Sequence, residues 1–249
     1  MIPVYLMSPS DDIRKYAVYE RYNASRNFPV QYWPWGSQSL QMQNPYWISY
    51  RNLRENRKDR YMINASLTYD ILDWLSVSGR IRVDNSNSDY TEKLYASTNN
   101  LRTEGSPNGL YGITKTNDRQ TYGDVMVNIN KTFGENWSLQ ANVGASINNV
   151  KIDQLSYRGP IQENGLPNVF NVFDLDDSKK RAEKYGWQEQ TQSIFASVEV
   201  GWKQMLYLTA TGRNDWASQL AYSKNSSFFY PSVGLSAVVS NMVNMPEWF

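Results

Sequence analysis

The sequence predicts an all-β protein, an antiparallel up-and-down meander that forms a partial transmembrane β-barrel. Three observations support this fold class. Side chains alternate between apolar and polar along several segments, tight turns join these segments in pairs, and longer polar connections separate the pairs. Since successive side chains of a strand point to opposite faces, each alternating segment has one apolar and one polar face. We expect an open, curved sheet between residues 61 and 240.

The clearest alternation lies on either side of the polar tract 218–227. The apolar positions before it are Leu206, Leu208, Ala210 and Gly212, and those after it are Phe229, Pro231, Val233, Leu235, Ala237 and Val239. Each run therefore predicts one strand of a hairpin. A soluble sheet buries such an apolar face against a second layer, whereas a membrane barrel turns it towards lipid.

The lengths of the connections favour the membrane barrel. Tight turns are predicted at 70–74, 133–137 and 203–205, and longer connections at about 85–117, 151–187 and 217–227. Short turns on one side and long loops on the other are typical of bacterial outer-membrane barrels. We expect one exposed apolar face, which includes Val125, Val127, Ile129, Leu139, Val143, Ile194, Val198, Leu208, Val233 and Leu235.

Composition excludes several classes of function. The 249 residues include 25 Lys and Arg against 24 Asp and Glu, a balance that argues against nucleic acid as a partner. The chain has no Cys and no His, so thiol catalysis, Ser-His-Asp triads and histidine metal sites are excluded within it. No paired carboxylates fall on one sheet face, and Asp176-Asp177 is assigned to a solvated loop. We expect no enzyme, no metal and no cofactor.

Two linked motifs resemble a known family. They are Gly212-Arg213-Asn214-Asp215-Trp216 with Ser218, and Tyr230-Pro231-Ser232 with Gly234. Together they resemble the barrel of SusC/RagA-like TonB-dependent outer-membrane transporters. Asn44-Pro45-Tyr46-Trp47 is similar to a stretch that precedes a barrel strand in the same family.

The resemblance implies a protein of the bacterial outer membrane, in contact with outer-membrane lipid, that imports glycan oligomers or peptides. It also implies TonB and a SusD-like surface lipoprotein as partners. Plugged transporters of this kind have 22 strands, and we recognise no plug, TonB box or signal peptide in this sequence. We therefore expect a fragment of the barrel that does not transport by itself.

This hypothesis divides the chain into two parts. Residues 1–60 are expected to be an irregular, Pro- and aromatic-rich lead-in, and residues 61–249 a partial barrel whose first and last strands do not pair. Phe249 follows Pro246 and is expected at the start of a further periplasmic turn.

Six charged residues fall on the predicted polar faces: Arg80, Arg82, Asp84, Glu199, Arg213 and Asp215. They are candidates for groups that face a water-filled lumen, where charge is tolerated. The alternative is that they cross-link neighbouring strands, and the sequence favours it for Arg213 and Asp215. Trp33, Trp35 and Trp47 are candidates for stacking on sugar rings, although such residues more often pack loops.

Two other architectures stay open at this point. One is a soluble β-sandwich carbohydrate-binding module, in which the apolar faces of two sheets would meet. The other is a complete small outer-membrane barrel, in which the segment near 228–240 would pair with a strand in residues 1–70.

Overall fold

A computed structural model describes residues 2–5, 7–34 and 42–242. The helices and strands, in chain order, are α1 (Ile2–Tyr5), β1 (Glu20–Asn23), β2 (Phe28–Gln31), α2 (Pro45–Arg51), β3 (Asn52–Leu72), β4 (Leu75–Tyr95), β5 (Gly109–Phe133), β6 (Trp137–Pro160), β7 (Arg181–Trp202), β8 (Leu206–Ala217) and β9 (Ser227–Ala237). Short 3₁₀ helices lie at Ile13–Tyr16, Val172–Asp174, Ser218–Leu220 and Val239–Asn241. No helix within the described ranges is long and apolar enough to cross a membrane.

Strands β3 to β9 form one antiparallel sheet, and their order in the sheet is their order in the chain. Over residues 2–5, 7–34 and 42–242, β9 does not pair with β3 or with the small β1–β2 sheet, so the large sheet is open. This confirms the predicted meander and excludes a closed small barrel. The predicted turn at Phe249 lies outside the described residues.

The three tight turns are where the sequence predicts them. They join β3 to β4 at residues 73–74, β5 to β6 at 134–136 and β7 to β8 at 203–205. Gly134 has a φ of 62°, in the left-handed region that glycine adopts without a steric penalty. The third turn is closed by a hydrogen bond from the backbone N of Met205 to the carbonyl of Trp202, at 2.9 Å.

Two of the predicted long connections are mostly strand, which corrects the sequence prediction. β4 continues to Tyr95 and β5 begins at Gly109, so the connection expected over 85–117 is reduced to residues 96–108. The connection expected over 151–187 is reduced in the same way to 161–180. In these strand extensions most side chains on both faces are polar, as in 85–89 (Asn-Ser-Asn-Ser-Asp), so hydrophobic alternation does not reveal them.

The first 51 residues contain more regular structure than the irregular segment the sequence predicts. β1 and β2 pair antiparallel, with Glu20 opposite Gln31. Asn44 caps α2 by accepting a hydrogen bond from the backbone N of Tyr46 at 2.9 Å, and Pro45 occupies the first turn. An Asx cap followed by proline is a strong start signal for a helix.

The chain divides into two compact units. The loop unit comprises Met1–Asp59, Ser86–Asn117 and Asp153–Gly186, and the turn unit comprises Arg60–Asn85, Asp118–Ile152 and Trp187–Phe249. The loop unit contains the fully buried apolar side chains Trp47, Leu110, Ile161 and Leu175. The turn unit contains the three tight turns and the exposed apolar face described below.

Candidate functional site

The apolar face of the turn unit is exposed. In the sheet, Ala210 lies opposite both Val198 of β7 and Val233 of β9, and directly paired residues share a face. Eight of the ten side chains predicted for this face are 37–77% exposed, while Ile129 and Leu139 are half-buried. Because no second sheet covers these side chains in the described structure, the sandwich hypothesis is wrong.

Exposed aromatic side chains border this apolar face at both ends. Near the tight turns lie Tyr69, Phe133, Trp137 and Trp202, and farther along the strands lie Tyr61, Trp216 and Phe229. Trp216 lies ten positions after Leu206, the first residue of β8. A membrane-crossing strand needs about 9–11 residues, and aromatic girdles mark its two interfaces. The stretches between these two aromatic rows therefore have the length of membrane-spanning segments.

Ion pairs between neighbouring strands lie on the polar face of the turn unit. Arg60 Nε donates to Asp84 Oδ1 at 2.8 Å, and Arg80 Nε donates to Asp124 Oδ2 at 2.8 Å. The side chains of Asp84 and Asp124 are 12% and 6% exposed, whereas both arginines are more than half exposed. Asp84 and Arg80 thus hold strands together, as the cross-linking alternative requires.

Arg82 lies between Arg80 and Asp84 in the sequence, but its hydrogen bonding differs from theirs. Its Nε atom is buried and has no hydrogen-bond partner among the described residues. The side chain lines a cleft of about 330 Å³ together with Asn64, Arg80 and Tyr122. Among the predicted site residues, Arg82 is therefore the one that combines an unsatisfied buried donor with a side chain that lines a cleft.

The remaining predicted charges make mixed contacts. Arg213 Nη2 donates to the Ser193 hydroxyl of β7 at 3.0 Å, whereas Arg213 Nε donates to Asp215 on its own strand at 2.7 Å. Glu199 accepts a hydrogen bond from the hydroxyl of Thr209, directly opposite on β8, at 2.9 Å. Arg213 and Glu199 therefore link two strands, but the carboxylate of Asp215 orients Arg213 within β8.

Glycines leave space for aromatic rings on the polar face. A Cβ at Gly144 would lie 2.7 Å from the Cζ atom of Phe195, and a Cβ at Gly201 would lie 2.9 Å from Cε1 of Tyr207. Such distances are too short for real contacts, so neither position accepts a larger residue without movement of its neighbours. The rings cover the glycine backbone, and both glycines are buried; such a pairing stabilises strands interrupted by glycine.

A chain of charges crosses the loop unit. The buried carboxylate of Glu92 accepts hydrogen bonds from Arg54 Nη2 at 2.8 Å and from Arg158 Nε at 2.9 Å. Arg158 also bonds to Glu104, which in turn bonds to Arg181. Each carboxylate therefore lies between two guanidinium groups. The sequence prediction missed this network because Glu92, Glu104 and Arg158 fell in segments assigned to loops.

One asparagine holds the long loops of the loop unit together. The side-chain amide of Asn108 donates to the carbonyls of Gln162, Glu163 and Gly165 at 2.8–3.0 Å. The backbone carbonyl of Asn108 accepts a hydrogen bond from the backbone N of Asn168, at 3.1 Å. These contacts fix the loop 161–180 against residue 108.

The tryptophans predicted as sugar-stacking residues are buried where the structure describes them. Trp47 is 1% exposed and its indole N donates to Thr98 Oγ1 at 3.0 Å, while Trp33 is 9% exposed. A buried indole has no free face for a sugar ring, so the stacking prediction is wrong for Trp33 and Trp47. Trp35 lies outside the described residues.

The two sequence motifs lie side by side. Gly212 is opposite Pro231, Arg213 opposite Tyr230, and Thr211 opposite Ser232 on the paired strands β8 and β9. A Cβ at Gly212 would lie 3.3 Å from the ring of Phe229, so the small residue fits beneath that ring. Strand pairing thus explains why the two motifs occur together.

A comparison with protein families decides the identity of this fold. The family model described as "TonB dependent receptor-like, beta-barrel" matches residues 5–242. The chain belongs to this family. Members are β-barrels of the bacterial outer membrane that act as transporters or receptors, not as a class of enzymes. No curated protein matches the chain.

Solved structures agree with the family at the level of fold. The structure of the RagAB peptide transporter shows a TM-score of 0.70 at 18% identity, and the match covers 85% of this chain and 23% of that one. The RagAB peptide importer in the open-open state gives 0.67 at 16% identity, over 89% and 24%. This chain thus spans about a quarter of the length of these TonB-dependent barrels. The predicted SusC/RagA-like barrel is confirmed.

Proposed function

We propose that this TonB-dependent receptor chain forms part of the barrel wall of a nutrient transporter in the bacterial outer membrane. One observation carries the proposal: a single open sheet exposes an apolar face bordered by two aromatic rows and turns charged, hydrogen-bonded side chains to its other face. Lipid is the environment in which such an apolar face is stable. The opposite face then borders the water-filled lumen.

The charged residues of the turn unit support this orientation. Arg80, Arg82, Asp84, Glu199, Arg213 and Asp215 share the polar face, and none of their charges lies on the apolar one. Charge on the lipid side costs about 2–4 kcal/mol at the bilayer midplane, whereas charge in the lumen does not. In the proposed barrel these groups line the substrate path, and the paired ones also hold the wall together.

The substrate is proposed to be a peptide or an oligosaccharide. The solved neighbours are described as a peptide transporter and a peptide importer, which supports peptides. The buried state of Trp33 and Trp47 removes two of the three aromatic groups that favoured sugars. We therefore place peptides first.

The partners are proposed to be TonB and a SusD-like surface lipoprotein. Exposed apolar side chains on the long loops support a docking protein at that side: Leu101 is 72% exposed, Leu166 73% and Phe173 88%. Such side chains are costly in water unless a partner covers them.

Site-directed spin labelling tests the orientation of the wall, because the chain has no native cysteine. Single cysteines replace Asn142, Val143, Ala145 and Ser146, two residues of each parity, in the protein carrying this chain, reconstituted in lipid vesicles. Labels at 143 and 145 should be accessible to oxygen, which partitions into lipid, and labels at 142 and 146 to a water-soluble nickel chelate. Equal nickel accessibility at both parities would refute the proposal.

A further inference from the structure

The cleft lined by Asn64, Arg80, Arg82 and Tyr122 presents an excess of hydrogen-bond donors. The two guanidinium groups can only donate, while the amide of Asn64 and the hydroxyl of Tyr122 can each donate as well. Arg80 also lies over the ring of Tyr122, with its Cζ atom 5.6 Å from the ring centre. A site built in this way fits an acceptor-only group.

Two of the arginines near the cleft already have carboxylate partners. Arg60 is bonded to Asp84 and Arg80 to Asp124, at distances of 2.5–2.8 Å. A further carboxylate, Asp118 of β5, acts electrostatically on Arg60. Arg82 lies between Arg80 and Asp84 on β4 and lines the cleft.

The Nε atom of Arg82 shows where the missing acceptor belongs. It is buried and has no hydrogen-bond partner in the part of the chain that the structure describes. A buried donor left unpaired costs about 1–3 kcal/mol. A carboxylate in the cleft can satisfy this donor and a neighbouring Nη donor together once a turn of the Arg82 side chain uncovers Nε, because its two oxygens match the planar fork of a guanidinium.

We infer that this cleft binds one carboxylate group, held by Arg82 and assisted by the donors of Asn64 and Tyr122. The inference rests on the proposed function, since the polar face must line the lumen for a ligand to reach it. The volume of about 330 Å³ corresponds to roughly ten waters, enough for a carboxylate with part of the residue that carries it. The carboxylate comes from a peptide in the lumen or from another segment of the same protein.

The test follows the Nε resonance of Arg82 by NMR, in the full protein labelled with ¹⁵N-arginine and purified in detergent. Sodium acetate is the first probe, and the Arg82→Gln variant assigns the resonance. A matched pair of tripeptides, one with a free C-terminal carboxylate and one amidated, forms the second probe. Arg119→Gln, which removes an exposed arginine of the neighbouring strand β5, is the control.

If the carboxylate comes from a peptide in the lumen, acetate and the free-carboxylate tripeptide should both shift the Arg82 resonance. Arg82→Gln should then weaken binding of the free-carboxylate tripeptide about tenfold and leave binding of the amidated tripeptide unchanged. If the carboxylate comes from another segment of the same protein, the Nε resonance should have the chemical shift of a hydrogen-bonded group before any ligand is added, and acetate should leave that shift unchanged. Arg119→Gln should match the wild type in both cases. An Nε resonance that is neither bonded at the start nor shifted by acetate overturns the inference.

The spin-label experiment separates this failure from failure of the proposed function. Where labels alternate between lipid and water but Arg82 binds no carboxylate, the wall is correctly oriented and the inference alone is wrong. Where the alternation itself is absent, the proposed lumen is wrong, and the cleft has no path to a ligand.

Discussion

Arg158 on β6 reaches the carboxylate of Glu92 on β4 across the intervening strand β5, and its Nε atom lies 2.9 Å from Glu92 Oε2. Gly112 of β5 lies beneath this crossing. A Cβ at Gly112 would be 3.2 Å from the Cγ atom of Arg158 and 3.6 Å from the Cβ atom of Glu92. A missing side chain on the middle strand is therefore what allows an ion pair between strands that are not adjacent.

Gly112→Val is expected to destabilise the protein by about 3 kcal/mol, because the new side chain overpacks the crossing and separates a buried ion pair. Urea unfolding in detergent measures the change. Gly234→Val is the matched control, since it also lies in a strand and a Cβ there meets no atom within 4 Å. Equal losses in the two variants would show that the crossing contributes nothing specific.

The same carboxylate makes stability depend on pH. Glu92 lies on β4 nine positions beyond Val83, the last apolar residue of its alternating run, and so outside the membrane-spanning stretch. Burial raises the pKa of Glu92, but the hydrogen bonds from Arg158 and Arg54 outweigh it, and the pKa is lowered below the ordinary 4.5. A lowered folded-state pKa means that the unfolded chain takes up the proton first as the pH falls.

The contribution of Glu92 is therefore complete above the ordinary pKa of 4.5, which the unfolded chain retains, and is lost as the pH falls from there through the lowered folded pKa. Unfolding midpoints between pH 7 and pH 3 should show this loss. Glu92→Gln should be less stable at pH 7 and should show a flatter acid limb. Glu135→Gln, in an exposed tight turn, should keep the wild-type profile. A wild-type acid limb in Glu92→Gln would contradict the assignment.

Local sequence patterns predict the part of this fold that lies between the aromatic rows. There one face must be apolar, so alternation reveals both the strands and the exposed face, as at Val198, Ala210 and Val233. Beyond the rows the strands continue with polar residues on both faces, and alternation no longer distinguishes a strand from a loop. For this reason β4 and β6 extend well past their predicted ends.

The contacts of individual charges could be predicted less well. The polar parity of Arg80 and Asp84 follows from the pattern, but their partners Asp124 and Arg60 depend on strand register. Glu92 and Arg158 are 66 residues apart in the sequence. They meet only because the register of β4 against β5 and that of β5 against β6 align them, and because a glycine of β5 lies between them. No pattern within one strand contains that information.

Val143→Arg is expected to reduce folding stability in lipid vesicles by about 2–4 kcal/mol, because Val143 lies on the apolar face six residues after Trp137 and is 53% exposed. Urea titration of refolding into vesicles measures it. Asn142→Arg, one residue away on the polar face, is the control and should change stability far less. Similar losses for both substitutions would contradict a lipid-facing role for this face.

The turn between β7 and β8 contains avoidable strain. Lys203 and Gln204 have φ values of 52° and 58°, a conformation that costs residues with a Cβ about 1–2 kcal/mol each. Gln204→Gly should remove that penalty at Gln204 at the expense of about 0.5–1 kcal/mol of backbone entropy, and so stabilise the hairpin by up to about 1 kcal/mol. Lys203→Gly should gain less, because the Nζ atom of Lys203 also lies 5.1 Å from the ring centre of Trp202, and this cation–π contact would be lost.

Gly134→Ala tests the same conformation in reverse. The φ of Gly134 is 62° and a Cβ there meets no atom within 4 Å, so any loss of stability comes from the backbone alone. Urea unfolding should therefore give opposite signs for Gln204→Gly and Gly134→Ala, and changes of the same sign would show that the left-handed conformation is not the source of the strain.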